Sequence, residues 1–337
     1  MGYYHVPVLL KEVIQYLDPH PGENFVDATL GGGGYSQAIL NHILPDGKLL
    51  GIDLDSDAIE NFKFPASPAD RQISYLAGRQ ANFKKNQKSE IKNFKSNIIL
   101  HHGNFRDIDS IIKHHEFPAP DGIVADIGFS SHQLDEAGRG MSFQKKEKLD
   151  MRFDKSSQGV DAAFIINTFE KNKLIQIFKN YGEEKFSSQI AQKILQARSE
   201  KRIEHTFELY DIIAGSLPKS IRHKANDSAR RIFQALRIAV NHELENLEEF
   251  LPKAFGLLVS GGRLAVVSFH SLEDRQVKQY FVGLSKGCVC PPEFPQCICG
   301  QKPQGKILTK KPITASEEEI KANPRSIPAK LRVIQKI

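Results

Sequence analysis

The chain has 337 residues, 40% hydrophobic and 26% charged, the make-up of an ordinary soluble protein with room for one large or two modest domains. No segment approaches the roughly 20 apolar residues of a membrane span, and the start, Met1-Gly2-Tyr3-Tyr4-His5, carries neither a basic-then-apolar signal nor an Arg-rich leader, so the expectation is a cytoplasmic protein without membrane association. The net charge of +6 is compatible with a polyanionic partner and equally with a mildly basic surface, and decides nothing by itself.

In chain order, Leu9, Leu10, Val13, Ile14 and Leu17 repeat at helical spacing, and Asp18-Pro19 with Pro21-Gly22 ends the segment. Phe25-Val26-Asp27 then reads as a strand, Gly31-Gly32-Gly33-Gly34 as a tight turn, and the residues through Ala38 and Ile39 as a helix start. Glycine lets a backbone approach a ligand closely there, while the free N–H groups of the helix start face whatever binds. A Walker-type phosphate loop is excluded, because no Gly-Lys-Ser/Thr follows the glycines, and a dinucleotide fingerprint is incomplete, because Ser36 holds its third glycine position. Leu49-Leu50-Gly51-Ile52-Asp53 supplies a second strand ending in an acid, placed to hold a ribose diol. Strand, Gly turn, helix, strand and acid together suit an adenosine ligand.

Asp57-Ala58-Ile59 reads as a helix, and residues 64–97, rich in Lys, Asn, Gln and Ser, as an inserted surface excursion. Ile98-Ile99-Leu100-His101 resumes the sheet and leads to Gly103-Asn104-Phe105, where Phe105 is a candidate adenine contact against the alternative of core packing. Ile123-Val124-Ala125-Asp126 is a fourth strand, again ending in an acid, so four strands deliver their last residues to one rim. From Asp135 the α/β rhythm gives way to helical patterns at Ala162–Phe169, Leu174–Phe178, Ile190–Leu195 and Phe207–Ile213. The run from Ala229 to Leu251 predicts one long helix whose apolar stripe packs back on the sheet. Arg263 to Phe269 is a fifth strand, and Lys330 to Ile334 a last one. The expected architecture is α/β: a Rossmann-like sheet domain in two parts, 1–134 and 226–337, with an inserted helical domain at 135–225.

All four cysteines lie in one short stretch. Cys288-Val289-Cys290 and Cys297-Ile298-Cys299 could give four thiolates to a tetrahedral zinc, although zinc ribbons usually use C-x-x-C; the alternative is four reduced thiols in a loop. His270 is a candidate proton acceptor, yet Ser271 and Asp274 around it read as a helix cap.

The chain resembles the RsmH (MraW) 16S ribosomal RNA cytosine-N4 methyltransferases over nearly its whole length. The likeness runs through Tyr4-His5-Val6-Pro7-Val8-Leu9, Asp27 to Gly34, Asp126 to Asp135, Arg139 to Phe143, Leu149 to Asp154, Ala235 to Asn241, Ser268 to Asp274 and Asn323 to Ser326. It implies a methyltransferase that uses S-adenosylmethionine, acts on 16S rRNA in the small ribosomal subunit, and has helices inserted for substrate recognition; a homodimer is compatible with it. Carried over position by position, the cofactor contacts fall on Gly33, Gly34, Tyr35, Asp53, Phe105, Asp126 and Gln133. The departures are Tyr35, where the family usually has His, Phe129, where it usually has a smaller aliphatic residue, and the 64–97 excursion.

Methyl transfer to the cytosine amine asks the site for acceptors of its N–H bonds, because that amine's lone pair is delocalised into the ring. Amino-methyltransferases often place Asp/Asn-Pro-Pro-Tyr/Phe after the fourth strand, and Asp126-Ile127-Gly128-Phe129 stands in that place with the prolines replaced. Asp126 and His270 are the catalytic candidates, and Phe129 either stacks on the target base or packs in the core. Lys145, Lys146, Lys148, Arg152 and Lys155, with Lys201, Arg202, Arg222, His223, Lys224, Arg230 and Arg231, form a candidate RNA-phosphate face, against the alternative of a solvated charged surface. The rival readings are methylation of an amine on DNA or protein, and an RNA-binding assembly factor without turnover.

Overall fold

The computed structural model describes residues 7–62, 97–128, 138–154, 159–287, 290–291, 293–296 and 298–337. The chain divides into two compact units, Met1–Gly128 with Glu248–Ile337, and Phe129–Leu247. The strands are β1 (Phe25–Asp27), β2 (Leu49–Asp53), β3 (Ile98–His102), β4 (Gly122–Asp126), β5 (Arg263–Ser268), β6 (Gly305–Ile307) and β7 (Lys330–Lys336). In chain order the helices are α1 (Leu10–Leu17), α2 (Gly34–Ile43), α3 (Ser56–Glu60), α4 (Ile108–His114), α5 (Ala162–Thr168), α6 (Lys171–Asn180), α7 (Ser187–Glu200), α8 (Thr206–Ser216), α9 (Ala225–Asn241), α10 (Glu243–Leu257), α11 (Ser271–Lys286) and α12 (Glu317–Ala322).

In the first unit the strands form one sheet in the order β3-β2-β1-β4-β5-β7-β6. The first five in that order are parallel, and β7 runs antiparallel to both β5 and β6. Phe25, Val26, Leu49, Leu50, Ile52, Ile123, Val124 and Ala125 are all buried, as parallel strands covered on both faces require. The chain moves outward from β1 through β2 and β3, then returns to β1's other side with β4, so the order reverses between β1 and β4. That reversal opens a crevice at the carboxyl edge, where open α/β sheets bind ligands. The strand β6 had no legible signal, since Gly305-Lys306-Ile307 is three residues long and lacks an alternating pattern.

The second unit is helical. Its core joins Ile165, Leu174, Phe178, Ile190, Ile194, Leu209, Ile213, Ile232, Phe233 and Leu236 from α5 to α9. The single long helix expected from Ala229 to Leu251 is instead two, α9 and α10, parted at His242, whose φ of 53° is left-handed. The apolar stripe of α9 (Ala229, Ile232, Phe233, Leu236) lies in the helical core rather than on the sheet. The compact units accordingly part after Gly128 and Leu247, where the sequence pattern had placed boundaries after 134 and 225. A helical period shows which residues face a core; it does not say which core.

Candidate active site

The register sets the site. Asp27, the last residue of β1, is paired with Gly51 and Val124, so β2 and β4 each run two residues further, to Asp53 and Asp126. The notch left above β1 is filled by the glycine turn. Ala28 N–H donates to the Val124 carbonyl at 2.8 Å, Leu30 N–H to Ile52 at 2.8 Å, and Gly33 N–H to Leu30 at 2.7 Å. Asp53 clamps the turn from the side: its Oδ2 accepts from Gly31 N–H at 2.7 Å and its Oδ1 from Asp55 N–H at 2.8 Å. Gly33 then caps α2 with a φ of 74°, and a Cβ there would stand 2.5 Å from the Phe62 ring. Only glycine meets both conditions. Gly33 has no side chain to cap α2, and the Ser36 N–H of the first turn bonds to the Asp27 carboxylate instead.

Three carboxyl groups share this edge. Asp27 is fully buried, accepts from Ser36 Oγ at 2.6 Å and Thr29 N–H at 3.3 Å, and is pushed up to about 6 by loss of water. Asp53 is raised by burial too, opposed by its two backbone donors. Asp126 is pushed up to about 7, chiefly by burial and further by the charges of Asp27 and Glu273. Its N–H donates to Thr29 Oγ1 at 2.7 Å, but its Oδ1 is buried without a hydrogen-bond partner among the described residues. The Tyr35 phenol donates to the Val8 carbonyl, and burial with the nearby Asp126 and Asp27 holds it protonated. A buried carboxyl oxygen with no donor, beside a glycine turn and two further acids, fits a ligand that brings N–H or O–H groups and positive charge. S-adenosylmethionine has both.

Of the other residues read from the sequence, Phe105 is half-buried and meets Phe250 edge to face at 5.1 Å; its loop is tied to β2 by Gly103 N–H donating to the Asp53 carbonyl at 2.8 Å. Gln133 and Phe129 lie outside the described residues. His270 caps α11: its Nδ1 accepts from Glu273 N–H at 3.3 Å, and Glu273 Oε2 accepts in return from the backbone of Phe269 and His270. That assigns the ring proton to Nε2, which stands 3.0 Å from Glu273 Oε1 without hydrogen-bond alignment. Both ring nitrogens thus face Glu273, the cap partner. Cys290 Sγ accepts from Ile298 N–H at 3.4 Å, and Cys299 is half-buried, whereas Cys288 and Cys297 are outside the described residues. Thr29 carried no signal in the sequence, while Asp27 and Ser36 were legible there only as a strand end and as the gap in a glycine fingerprint.

Much of the expected basic face is already paired. Arg152 grips Asp150 through two bonds of 2.7 and 2.8 Å, Lys201 meets Glu208 at 2.7 Å, Arg231 meets Glu184 at 2.7 Å, and Arg230 meets Asp227 at 3.2 Å. Lys146, Lys148, Arg222, His223 and Lys224 are exposed, and among the described residues no carboxylate pairs with them. Lys155 lies outside the described residues.

The sequence pattern of the MraW methylase family matches residues 2–91 and 76–337. Curated relatives named Ribosomal RNA small subunit methyltransferase H include one from Heliobacterium mobile, 43% identical over 338 residues and covering 100% of both chains. Another, from Citrifermentans bemidjiense, is 44% identical over 335 residues and covers 99% of each. One from Clostridium botulinum (strain Loch Maree) is 44% identical over 337 residues, covering 100% of both.

The carboxyl raised at Asp126 has a consequence for stability. Its folded value of about 7 exceeds the 3.8 of an ordinary Asp. The folded protein therefore keeps a proton that the unfolded chain has lost, and the stability this gives is complete below 3.8 and drains away as pH rises through 7. In cofactor-free protein, Asp126→Asn should gain on the wild type by about 1–3 kcal/mol between pH 5 and pH 8. Chemical denaturation at a series of pH values measures the difference; a pH-independent difference would mean that Asp126 ionises normally in the fold.

Proposed function

This chain belongs to the MraW methylase family, and on that premise we propose that it transfers the methyl group of S-adenosylmethionine to the N4 amine of a cytidine in the 16S RNA of the small ribosomal subunit. The observation that carries the reading is the buried Oδ1 of Asp126, without a partner among the described residues, at the carboxyl edge of the sheet beside the glycine turn. When bound, S-adenosylmethionine supplies an electrophilic methyl on a positively charged sulfur. Gly33, Gly34 and Tyr35 at the start of α2, Asp53 at the end of β2, Phe105 after β3, Asp126 at the end of β4, and Gln133 are the residues assigned to hold it. Asp53 is placed for the ribose hydroxyls, its geometry fixed by the Gly31 and Asp55 N–H groups.

Asp126 is also suited to the amine. A carboxylate that accepts an N–H of the amine draws the lone pair out of the ring and onto nitrogen as the new bond forms. That carboxylate can then take the proton that the methylated nitrogen must lose. His270, committed to its helix cap, is left in a supporting role. The same reading gives RNA recognition to the helical unit and the protein a cytoplasmic location; Cys288, Cys290, Cys297 and Cys299 are either four zinc ligands or reduced thiols, and a homodimer is compatible with it. Among the described residues no helix is long and apolar enough to cross a membrane.

Incubation with labelled S-adenosylmethionine and candidate substrates tests the function. Label in the N4-methylcytidine of small-subunit RNA is the expected result; label in DNA or protein, or cofactor binding without transfer, overturns it. Asp53→Ala should weaken cofactor binding by about 1–3 kcal/mol, the scale of charge-assisted hydrogen bonds lost to the ribose. Calorimetric titration showing unchanged affinity in the folded variant would remove Asp53 from the site. If the cysteines bind zinc, protein purified under reducing conditions should carry about one zinc per chain, since four thiolates complete a closed structural site. Elemental analysis that finds no zinc, before or after reconstitution, returns the cysteines to reduced thiols.

A further inference from the structure

Two segments of the helical unit, some sixty residues apart, are joined into one surface strip. Lys148 and His205 form an isolated antiparallel bridge, Leu149 N–H donates to the Glu204 carbonyl at 2.8 Å, and Thr206 N–H donates to the Glu147 carbonyl at 3.0 Å. The junction brings Lys146 Nζ to 5.6 Å from the centre of the Phe207 ring. The His205 ring lies 5.7 Å from the same ring, inclined by 35°, and is fixed in place by a capping box with Glu208. Lys148 is exposed beside it, and Arg202 meets Glu204 at 3.5 Å on the open surface.

Helix α8 turns Thr206, Leu209 and Ile213 inward, and Phe207 falls off that stripe, 37% exposed. The other exposed phenylalanine described in this unit, Phe164, packs edge to face on Phe169, and the neighbouring cation, Lys173, lies over Phe169 instead. Among the described residues Phe207 is therefore the exposed aromatic with an ammonium and an imidazole directly against it. Aromatic faces interleaved with cations are how proteins hold unpaired nucleotides: the base stacks, and the cations meet its flanking phosphates. A base inside a duplex has no face to offer, so the segment bound here is single-stranded.

We propose that Phe207, flanked by Lys146 and His205, is a stacking platform for an unpaired base of the RNA substrate, with Lys146 and Lys148 on adjoining phosphates. The proposal rests on the small-subunit RNA reading above. Filter binding of the full chain to small ribosomal subunits and to their naked RNA, across a salt series, tests it. Phe207→Ala should weaken binding roughly five- to a hundredfold with the salt slope unchanged, because stacking releases no counterions. Phe207→Trp and Phe207→Tyr should keep the affinity, whereas Phe207→Leu should lose it like Ala. Lys146→Ala and Lys148→Ala should each flatten the salt slope by roughly one unit, and all variants should bind S-adenosylmethionine as the wild type does. Full affinity in Phe207→Ala, or rescue by Leu, overturns the platform: the first means no contact, the second that only apolar bulk matters. Wild-type protein that binds neither form of the RNA overturns the underlying reading, and the platform with it; wild-type binding with indifferent Phe207 variants overturns the platform alone.

Discussion

The site exists because β1 is two residues shorter than the strands on either side of it. Asp27 ends β1 level with Gly51 and Val124, and the chain must leave the sheet there to start α2 while β2 and β4 continue. A parallel sheet whose order reverses between β1 and β4 puts both neighbours' carboxyl ends over that gap. The glycine turn is thus a consequence of the register. With its lead-in from Ala28 it must close over a three-residue strand, bond to both flanking strands, and begin a helix at Gly34. A side chain at Gly33 would collide with Phe62 and oppose a left-handed φ.

This part of the molecule was legible in the sequence because its signals are local. An apolar run ending in an acid, a glycine cluster and a helical period each lie within a dozen residues, and the strands expected at 25–27, 49–53, 98–101, 123–126 and 263–269 stand close to where they were read. What was not legible depended on distant partners. Strand β6 has meaning only as an addition to β7, and α9 carries the same stripe whether it faces a sheet or other helices. The break at His242 is likewise hidden: the apolar period crosses it, and histidine tolerates the left-handed conformation better than most residues. In the site, the residue type of Asp126 was readable. The missing partner of its Oδ1 was not, since that is a property of the whole edge.

The helical unit shows the same division between composition and context. The stretch from Leu149 to Phe153 reads as a mixed apolar and charged run, but the fold uses it as a clamp. Asn241 at the end of α9 accepts from Phe153 N–H at 2.8 Å and donates to the Met151 carbonyl at 2.8 Å, holding Met151 at a φ of 66° with its side chain fully buried. Arg152 is turned onto Asp150 in the same loop. Gly140 allows the loop to pass, since a Cβ there would stand 2.2 Å from the Lys148 carbonyl oxygen. Several cations that a count of basic residues offers to RNA are thereby spent inside the unit, and the count overstates the face that remains.

Three aspartates occupy equivalent strand ends and have different work because their donors differ. Asp53 has both oxygens taken by backbone N–H groups, so it is rigid, and it fixes the turn whether or not a ligand is present. Asp27 is sealed, and its partners Ser36 and Thr29 belong to the turn and the start of α2. It acts inward, and its charge raises both Asp126 and the Tyr35 phenol. Asp126 alone of the three keeps an enclosed oxygen without a donor among the described residues. An unmet acceptor of this kind costs stability in the empty protein, about 1–3 kcal/mol for such a group, and a fold retains it where a ligand meets it. Burial is what makes the arrangement productive. In water a carboxylate beside a cation gains little, whereas in this edge the same pairing is strengthened by the low dielectric. The cost carried by the empty site and the affinity for a cationic, hydrogen-bonding ligand are thus two consequences of one enclosed oxygen atom.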